Sequence, residues 1–266
     1  MAIVIADPLT AETPAEIPLA KAPLVRVIAQ LRFPVIAAIE QRPFMAGFQE
    51  SLRERYPVLR PEVAKGLMLG PEGASPLSDR TIWRFADLEG AWRVSLAPDF
   101  MALETTAYRS RTDFVARLRE VVAALEEHVE PQVIDRVGLR YIDRVTGAAV
   151  DDIAKLIRPE VSGLSATSIA AHVQHAITEV MLKVSESAGM LARWGQLPPN
   201  GTVDPSAIEP IPERSWILDL DMFSTKPTRL NEDEVIAQAT SFAERLYTFF
   251  RWFVSDEFLR RYGGAA

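Results

Sequence analysis

Arginine side chains recur at every fourth position of one predicted strand, PQVIDRVGLRYIDRVT, at positions 131–146. Alternate residues of a strand share a face, so Arg136, Arg140 and Arg144 lie on the same side. Guanidinium groups bind phosphate and carboxylate groups through paired hydrogen bonds, so this row could hold an anionic ligand. Asp135 and Asp143 have the opposite parity, among hydrophobic residues. Because buried charges need partners, the strand predicts either a ligand site or ion pairs with another strand.

Carboxylates form a second polar row in the stretch SWILDLDMF at positions 215–223. Asp219 and Asp221 share one face of this predicted strand, and Glu104 could join them from a neighbouring strand. Three carboxylates could bind a hard cation such as magnesium, and crowded carboxylates raise one another's pKa, as in paired-acid catalysis. The third interpretation is salt bridging to the arginine row, because opposite charges on facing strands stabilise a sheet. We expect these acids to meet the arginines across the sheet.

Other reactive groups are sparse. His172 and His175 have an HxxH spacing but no HExxH pattern, so we predict no metal site. The chain has no cysteine, which excludes thiol nucleophiles, disulfides and thiolate metal sites. It also lacks the GxSxG, GxGxxG and P-loop motifs. We therefore predict no catalytic residue, no metal and no cofactor, and an enzymatic role is disfavoured but open.

Two similar successions of elements position these residues. In residues 24–130, alternation predicts a strand at 24–33, a helix after Pro43, a long loop at 57–78, three strands between residues 81 and 108, and a helix that starts near Thr112. Residues 131–266 repeat this order, with a final helix that Asn231 caps. The stretch 169–184 fits a strand or a helix. An extended, proline-containing arm, residues 1–23, precedes both.

This element order predicts one α+β domain of two pseudo-repeats, 24–130 and 131–266. Each repeat is a strand, a helix, three strands and a helix. Two such units would form an antiparallel sheet with the two long helices packed on one face.

The last helix has a wider apolar surface than one sheet would cover, because Tyr247, Phe250 and Trp252 lie beside its main hydrophobic stripe. Such width indicates a second buried contact. The contact is either a homodimer or partner surface, or burial on two sides within one chain.

Composition limits the classes of partner. The formal net charge of −7 disfavours nucleic acid, and aromatic residues such as Trp83, Phe85 and Trp92 are more typical of a core than of a base-stacking surface. No membrane-spanning run and no signal peptide are recognisable, so we predict a cytoplasmic protein.

Several stretches also resemble an uncharacterised, sporadically distributed bacterial protein family of similar length. They are KAPLVRVIAQLRF, FMALETTAYRSRTDFVARL, VIDRVGLRYIDRV and ILDLDMF, together with the aromatic C-terminal helix. The resemblance implies no activity or cofactor. Its characteristic positions here are Glu104, Thr105, Arg140, Tyr141 and Asp143, which coincide with polar positions of the predicted sheet.

These observations support two functional predictions. The first is a cytoplasmic, non-enzymatic interaction protein that forms a homodimer or binds a protein partner through Tyr247, Phe250 and Trp252. The second is a binding protein or enzyme for a small anionic ligand. Its predicted pocket residues are Glu104, Arg136, Arg140, Tyr141, Arg144, Asp219 and Asp221.

Overall fold

The computed structural model describes residues 5–64, 67–70, 73–76 and 80–264, and it confirms the α+β class. Nine strands form an antiparallel sheet in the order β2-β5-β6-β7-β1-β8-β11-β10-β9. A separate hairpin consists of β3 and β4. The strands are β1 Leu24–Arg32, β2 Val58–Ala64, β3 Leu67–Gly70, β4 Gly73–Pro76, β5 Arg80–Ala86, β6 Trp92–Ala97, β7 Phe100–Thr105, β8 Arg136–Thr146, β9 Ala176–Lys183, β10 Ala188–Leu197 and β11 Ser215–Ser224.

Two long helices and several short ones accompany these strands. The α-helices are α1 Ala46–Leu52, α2 Arg111–His128, α3 Ala148–Asp151, α4 Ile153–Leu156, α5 Pro159–Ser162, α6 Glu232–Phe253 and α7 Asp256–Arg261. Among the described residues, no helix is long and apolar enough to cross a membrane.

Local sequence signals explain where the helices begin. The carboxamide oxygen of Asn231 accepts a hydrogen bond from the Glu234 amide at 3.0 Å, which confirms the predicted cap of α6. The expected cap of α2 at Thr112 is wrong, because Ser110 accepts from the Asp113 amide at 3.1 Å. Both residues can cap a helix, but Ser110 is the last residue with an extended backbone, and the helix begins at Arg111.

The described residues divide into two compact units. The central unit contains Ile28–Leu139 and Ser224–Thr240, and the terminal unit contains Met1–Val27, Arg140–Phe223 and Ser241–Ala266. In the central unit, α1 packs against α2, and the backbone of Gly47 approaches the His128 ring so closely that a Cβ would lie 2.7 Å from Nδ1. The pseudo-repeats 24–130 and 131–266 stay a prediction.

Two loop and strand predictions can be compared with the structure. The long loop expected at 57–78 is wrong at Val58–Ala64, which forms β2 and pairs with β5. It is also wrong at Leu67–Gly70 and Gly73–Pro76, which form the hairpin of β3 and β4. Alternation failed there because Pro61 and the flanking charges hide the strand pattern. Residues 65–66, 71–72 and 77–78 of that loop lie outside the described residues. The stretch 169–184, for which the sequence fits a strand or a helix, contains a strand at Ala176–Lys183, which follows a 3-10 helix at Ala170–His172.

Candidate functional site

An arginine–aspartate cluster, made of Arg140, Arg193, Asp204 and Asp219, crosses three neighbouring strands of the terminal unit. Arg140 on β8 donates from Nε and Nη2 to the two carboxylate oxygens of Asp219 on β11, at 2.7 and 2.9 Å. Its Nη1 donates to Asp204 at 2.8 Å, from the loop that precedes β11. Asp219 is only 1% exposed, so this bidentate pair lies away from water. The predicted meeting of acids and arginines is confirmed for Arg140 and Asp219.

Arg193 completes the cluster and was missed in the sequence. It lies on β10, next to β11, and its Nη2 is 3.0 Å from Oδ2 of Asp219. Its Nε reaches Glu179 only at 3.8 Å, which is too long for a hydrogen bond, and no described residue accepts from that atom. The sequence feature that could have revealed it is the alternation along Ala188–Leu197, where Arg193 is the one charged residue of a predicted strand of otherwise mainly small and apolar residues.

The electrostatics of the cluster keep Arg140 and Asp204 charged. Burial by itself would lower the pKa of Arg140, but the hydrogen bonds and negative charge of Asp219, followed by those of Asp204, raise that pKa above the usual arginine value. Burial would raise the pKa of Asp204, and hydrogen bonds from Ser206 and Arg140 reverse this effect, so the pKa is lowered. Arg140 and Asp204 therefore remain ionised across the physiological range.

A second group of charges, the Glu209 contact, surrounds Arg144 in the same unit. Nη2 of Arg144 donates to the Glu209 carbonyl at 2.7 Å, and Nη2 of Arg26 donates to the Glu209 carboxylate at 3.2 Å. Burial lowers the pKa of Arg144, and the positive charge of Arg26 lowers it further against the opposing effect of Glu209. Nε of Arg144 is buried, and no described residue accepts a hydrogen bond from it. Two cations thus converge on one exposed glutamate.

The other predicted pocket residues are spread over both units. Glu104 and Arg136 belong to the central unit, where Arg93 on β6 donates to Glu104, its cross-strand partner on β7. Tyr141 and Asp221 are half-buried residues of the terminal unit. The structure therefore brings Arg140 and Asp219 into one cluster and puts Arg144 in the Glu209 contact, and Glu104 pairs with Arg93.

Asp143 is a buried carboxyl on the opposite parity of β8. It is 7% exposed, and no hydrogen bond or ion pair to it occurs within the described part of the chain. Burial raises its pKa from 3.8 to about 7. The group therefore changes charge near neutral pH, which is unusual for an aspartate.

The histidines and the aromatic residues of the central unit form neither a metal site nor a base-stacking surface in the described part of the chain. His172 and His175 are exposed, and the residues that the structure describes contain no group of three side chains suited to a metal ion. Trp83, Phe85 and Trp92 are buried, so their rings do not form a stacking surface. Nε2 of His128 lies 2.6 Å from Oγ of Ser51 and joins α2 to α1.

The predicted interface on α6 is covered in part by the N-terminal arm. The Tyr247 hydroxyl accepts from the Ile17 amide at 2.8 Å and donates to the Ala15 carbonyl at 3.2 Å. Two residues before Tyr247 on α6, Nη1 of Arg245 donates to the carbonyls of Pro8 and Ala11 at 3.0 and 2.7 Å. The arm is thus held along the helix by its backbone.

The aromatic rings of this surface form contacts of their own. The rings of Tyr247 and Phe250 stack with centroids 6.3 Å apart, and Trp252 lies 5.4 Å from Phe249. The guanidinium of Arg158 lies over the Trp252 ring at 5.3 Å. Tyr247, Phe250 and Trp252 all remain half-buried. The contact within one chain therefore accounts for part of the wide apolar surface and leaves part of each ring accessible.

Comparison with known proteins adds no assignment: no protein-family model matches the chain, and no curated protein matches it in sequence.

Proposed function

We propose that the protein is a cytoplasmic, non-enzymatic interaction protein that self-associates and holds an extended protein segment on α6. The observation that carries this proposal is the way in which Arg245 and Tyr247 bind the arm. Four of their hydrogen bonds go to backbone groups of the arm, at Pro8, Ala11, Ala15 and Ile17. Backbone contacts do not depend on the side chains of the bound segment, so a similar extended segment from another chain can use them.

The bound arm also has the composition of a recognised class of ligand. Pro14 and Pro18 favour an extended conformation in residues 12–19, and a segment that is already extended loses less entropy on binding. Pro8 instead begins a turn, in which the amides of Thr10 and Ala11 donate to the Asp7 carbonyl. Proteins that bind such segments use aromatic side chains together with donors aimed at carbonyl groups. Tyr247 and Arg245 supply this combination on α6. Because the arm competes from within the chain, an external segment has to overcome an effective concentration in the millimolar range.

A peptide titration tests this proposal. The probe is a labelled synthetic peptide with the sequence of residues 5–21, added to the full chain, and binding is measured by fluorescence anisotropy. We expect weak, saturable binding. We expect the double variant Tyr247→Ala with Trp252→Ala to weaken it through loss of the Tyr247 hydrogen bonds and of aromatic surface, but by less than about tenfold, because the same substitutions also weaken the competing arm.

Matched controls separate surface effects from loss of fold. Leu88→Ala removes an exposed apolar side chain elsewhere and should leave peptide binding unchanged. A peptide with glycine in place of its three prolines should bind less tightly than the natural one. Absence of saturable binding, or equal binding by the double variant, would refute the proposed role of α6.

The Glu209 contact favours a second candidate function, binding of a small anion. Arg144 has a buried Nε with no acceptor in the described part of the chain, and Arg26 brings a second positive charge close to it. A phosphate or carboxylate group could replace the exposed Glu209 side chain and accept from both guanidinium groups. If so, inorganic phosphate should raise the melting temperature of the wild type, and Arg144→Ala should abolish that rise. Arg214→Ala is the control, because it removes an exposed arginine of the same unit.

The internal duplication belongs to the same proposal. We infer it from the order of elements in residues 24–130 and 131–266, with both long helices packed on one face of the sheet. The cytoplasmic location rests likewise on the sequence.

A further inference from the structure

Strand β9 is an end strand of the sheet and carries an exposed, self-complementary row of side chains. Beyond β9 the sheet has no further strand among the described residues. Glu179, Met181 and Lys183 share one face of β9 and are 58%, 61% and 69% exposed. An end strand presents unpaired backbone groups that can pair with a strand of another chain.

We propose that two copies of the chain associate through antiparallel pairing of their β9 strands, with the two-fold axis at Met181. The inference rests on the self-association part of the proposed function and names the surface that performs it. The same patch meets itself across a two-fold axis, as in most homodimers. The two sheets would thereby join into one.

The charges of β9 select this register. In antiparallel pairing about Met181, Glu179 lies opposite the second copy's Lys183, and the reverse pair forms by symmetry. Val180 then lies opposite Leu182, and the two Met181 side chains meet on the axis. Directly opposed side chains lie about 5 Å apart, so both ion pairs and both apolar pairs can form.

Other registers lack this complementarity. An axis at residue 179 or 183 puts like charges directly opposite each other, which destabilises strand pairing. An axis at residue 180 puts Glu179 opposite Met181, and an axis at residue 182 puts it opposite Ser185, so in neither register does Glu179 meet a lysine. An axis between two residues would bring opposite faces together, which the pleat of a sheet forbids. The register about Met181 alone therefore pairs both glutamates with both lysines.

The present partners of these charges do not compete strongly. Glu179 reaches Arg193 only at 3.8 Å, and Lys183 pairs with Glu186 three residues on, where both side chains are largely exposed. Exposed pairs of this kind contribute little to stability. Their exchange for pairs across the axis costs little.

Charge reversal tests the proposal. Self-association is measured for the full chain by sedimentation at several protein concentrations. Glu179→Lys and Lys183→Glu each create two like-charge pairs, so each should raise the dimer dissociation constant about tenfold. The variant that carries both reversals restores opposite charges and should recover the wild-type constant. Glu213→Lys, the same change at an exposed residue outside β9, is the matched control and should have no effect.

Cysteine cross-linking then tests the register in a chain that has no natural cysteine. Met181→Cys should form a covalent dimer on mild oxidation, because opposed Cα atoms in a strand pair lie within the range that a disulfide spans. Glu179→Cys alone should not, since its two copies would lie about 13 Å apart. A mixture of Glu179→Cys and Lys183→Cys chains should give a cross-linked heterodimer.

The outcomes separate this inference from the proposed function. If the wild type forms a dimer that single reversals do not weaken, self-association stands and the β9 interface is refuted. If the wild type is a monomer at every concentration, the inference is overturned, and the peptide titration alone decides the role of α6.

Discussion

Replacement of Asp219 by alanine is expected to lower the free energy of unfolding by about 3–5 kcal/mol, because removal of one member of a buried ion pair leaves its partners uncompensated. Asp219 accepts hydrogen bonds from Nε and Nη2 of Arg140 and lies 3.0 Å from Nη2 of Arg193. Among the residues that the structure describes, Arg140 would then keep only Asp204 as an acidic partner. Arg193 would keep only the 3.8 Å approach to Glu179.

Urea unfolding of the two proteins measures this loss. The matched control is Asp221→Ala, two residues along the same strand, at a residue that is half-buried, whereas Asp219 is 1% exposed. We expect the control to lose much less stability than Asp219→Ala. Equal losses for the two variants would mean that burial of the charge does not decide the energetics of the cluster.

The contribution of Asp143 to the stability of the protein should fall as the pH rises from about 4 to about 7. Burial raises the pKa of this carboxyl to about 7 in the folded chain, against 3.8 for an ordinary aspartate. The folded state therefore holds the proton more tightly than the unfolded state. The stabilising effect of this proton is complete below about pH 4 and is lost as the pH rises to about 7. The loss lowers the free energy of unfolding by at most about 4 kcal/mol in total.

Asp143→Asn isolates this effect, because asparagine keeps the shape and cannot ionise. The free energy of unfolding should be similar for wild type and variant at pH 4, whereas the variant should be more stable by several kcal/mol at pH 8. Asp204 and other carboxyls with a lowered pKa act in the opposite direction, but they are present in both proteins. A difference between the two proteins that does not change with pH would show that Asp143 does not titrate in this range.

Sequence alternation predicted the central part of the site because strand periodicity depends on local geometry. The parity of β8 puts Arg140 on one face and Asp143 on the other, and the parity of β11 puts Asp219 among the polar positions. Opposite charges on neighbouring strands then pair, as Arg140 and Asp219 do. The cap of α6 at Asn231 was predictable for the same reason, since it depends on residues three apart.

The parts that the sequence did not predict depend on contacts between distant residues. Arg193 joins the cluster only because β10 lies beside β11 in the sheet order. The arm meets α6 across more than two hundred residues of sequence, through backbone groups that carry no side-chain signal. Strand β2 was missed because pairing with β5 outweighs the weak strand preference of its proline and charged residues.

Native mass spectrometry of the freshly purified full chain, beside its denatured mass, tests the central claim most directly, because one experiment reports both assembly and bound molecules. The account predicts a dimer whose mass is twice that of the denatured chain, with no additional mass. A monomer that carries the extra mass of a small anion would contradict it and would favour the ligand-binding function of Arg144.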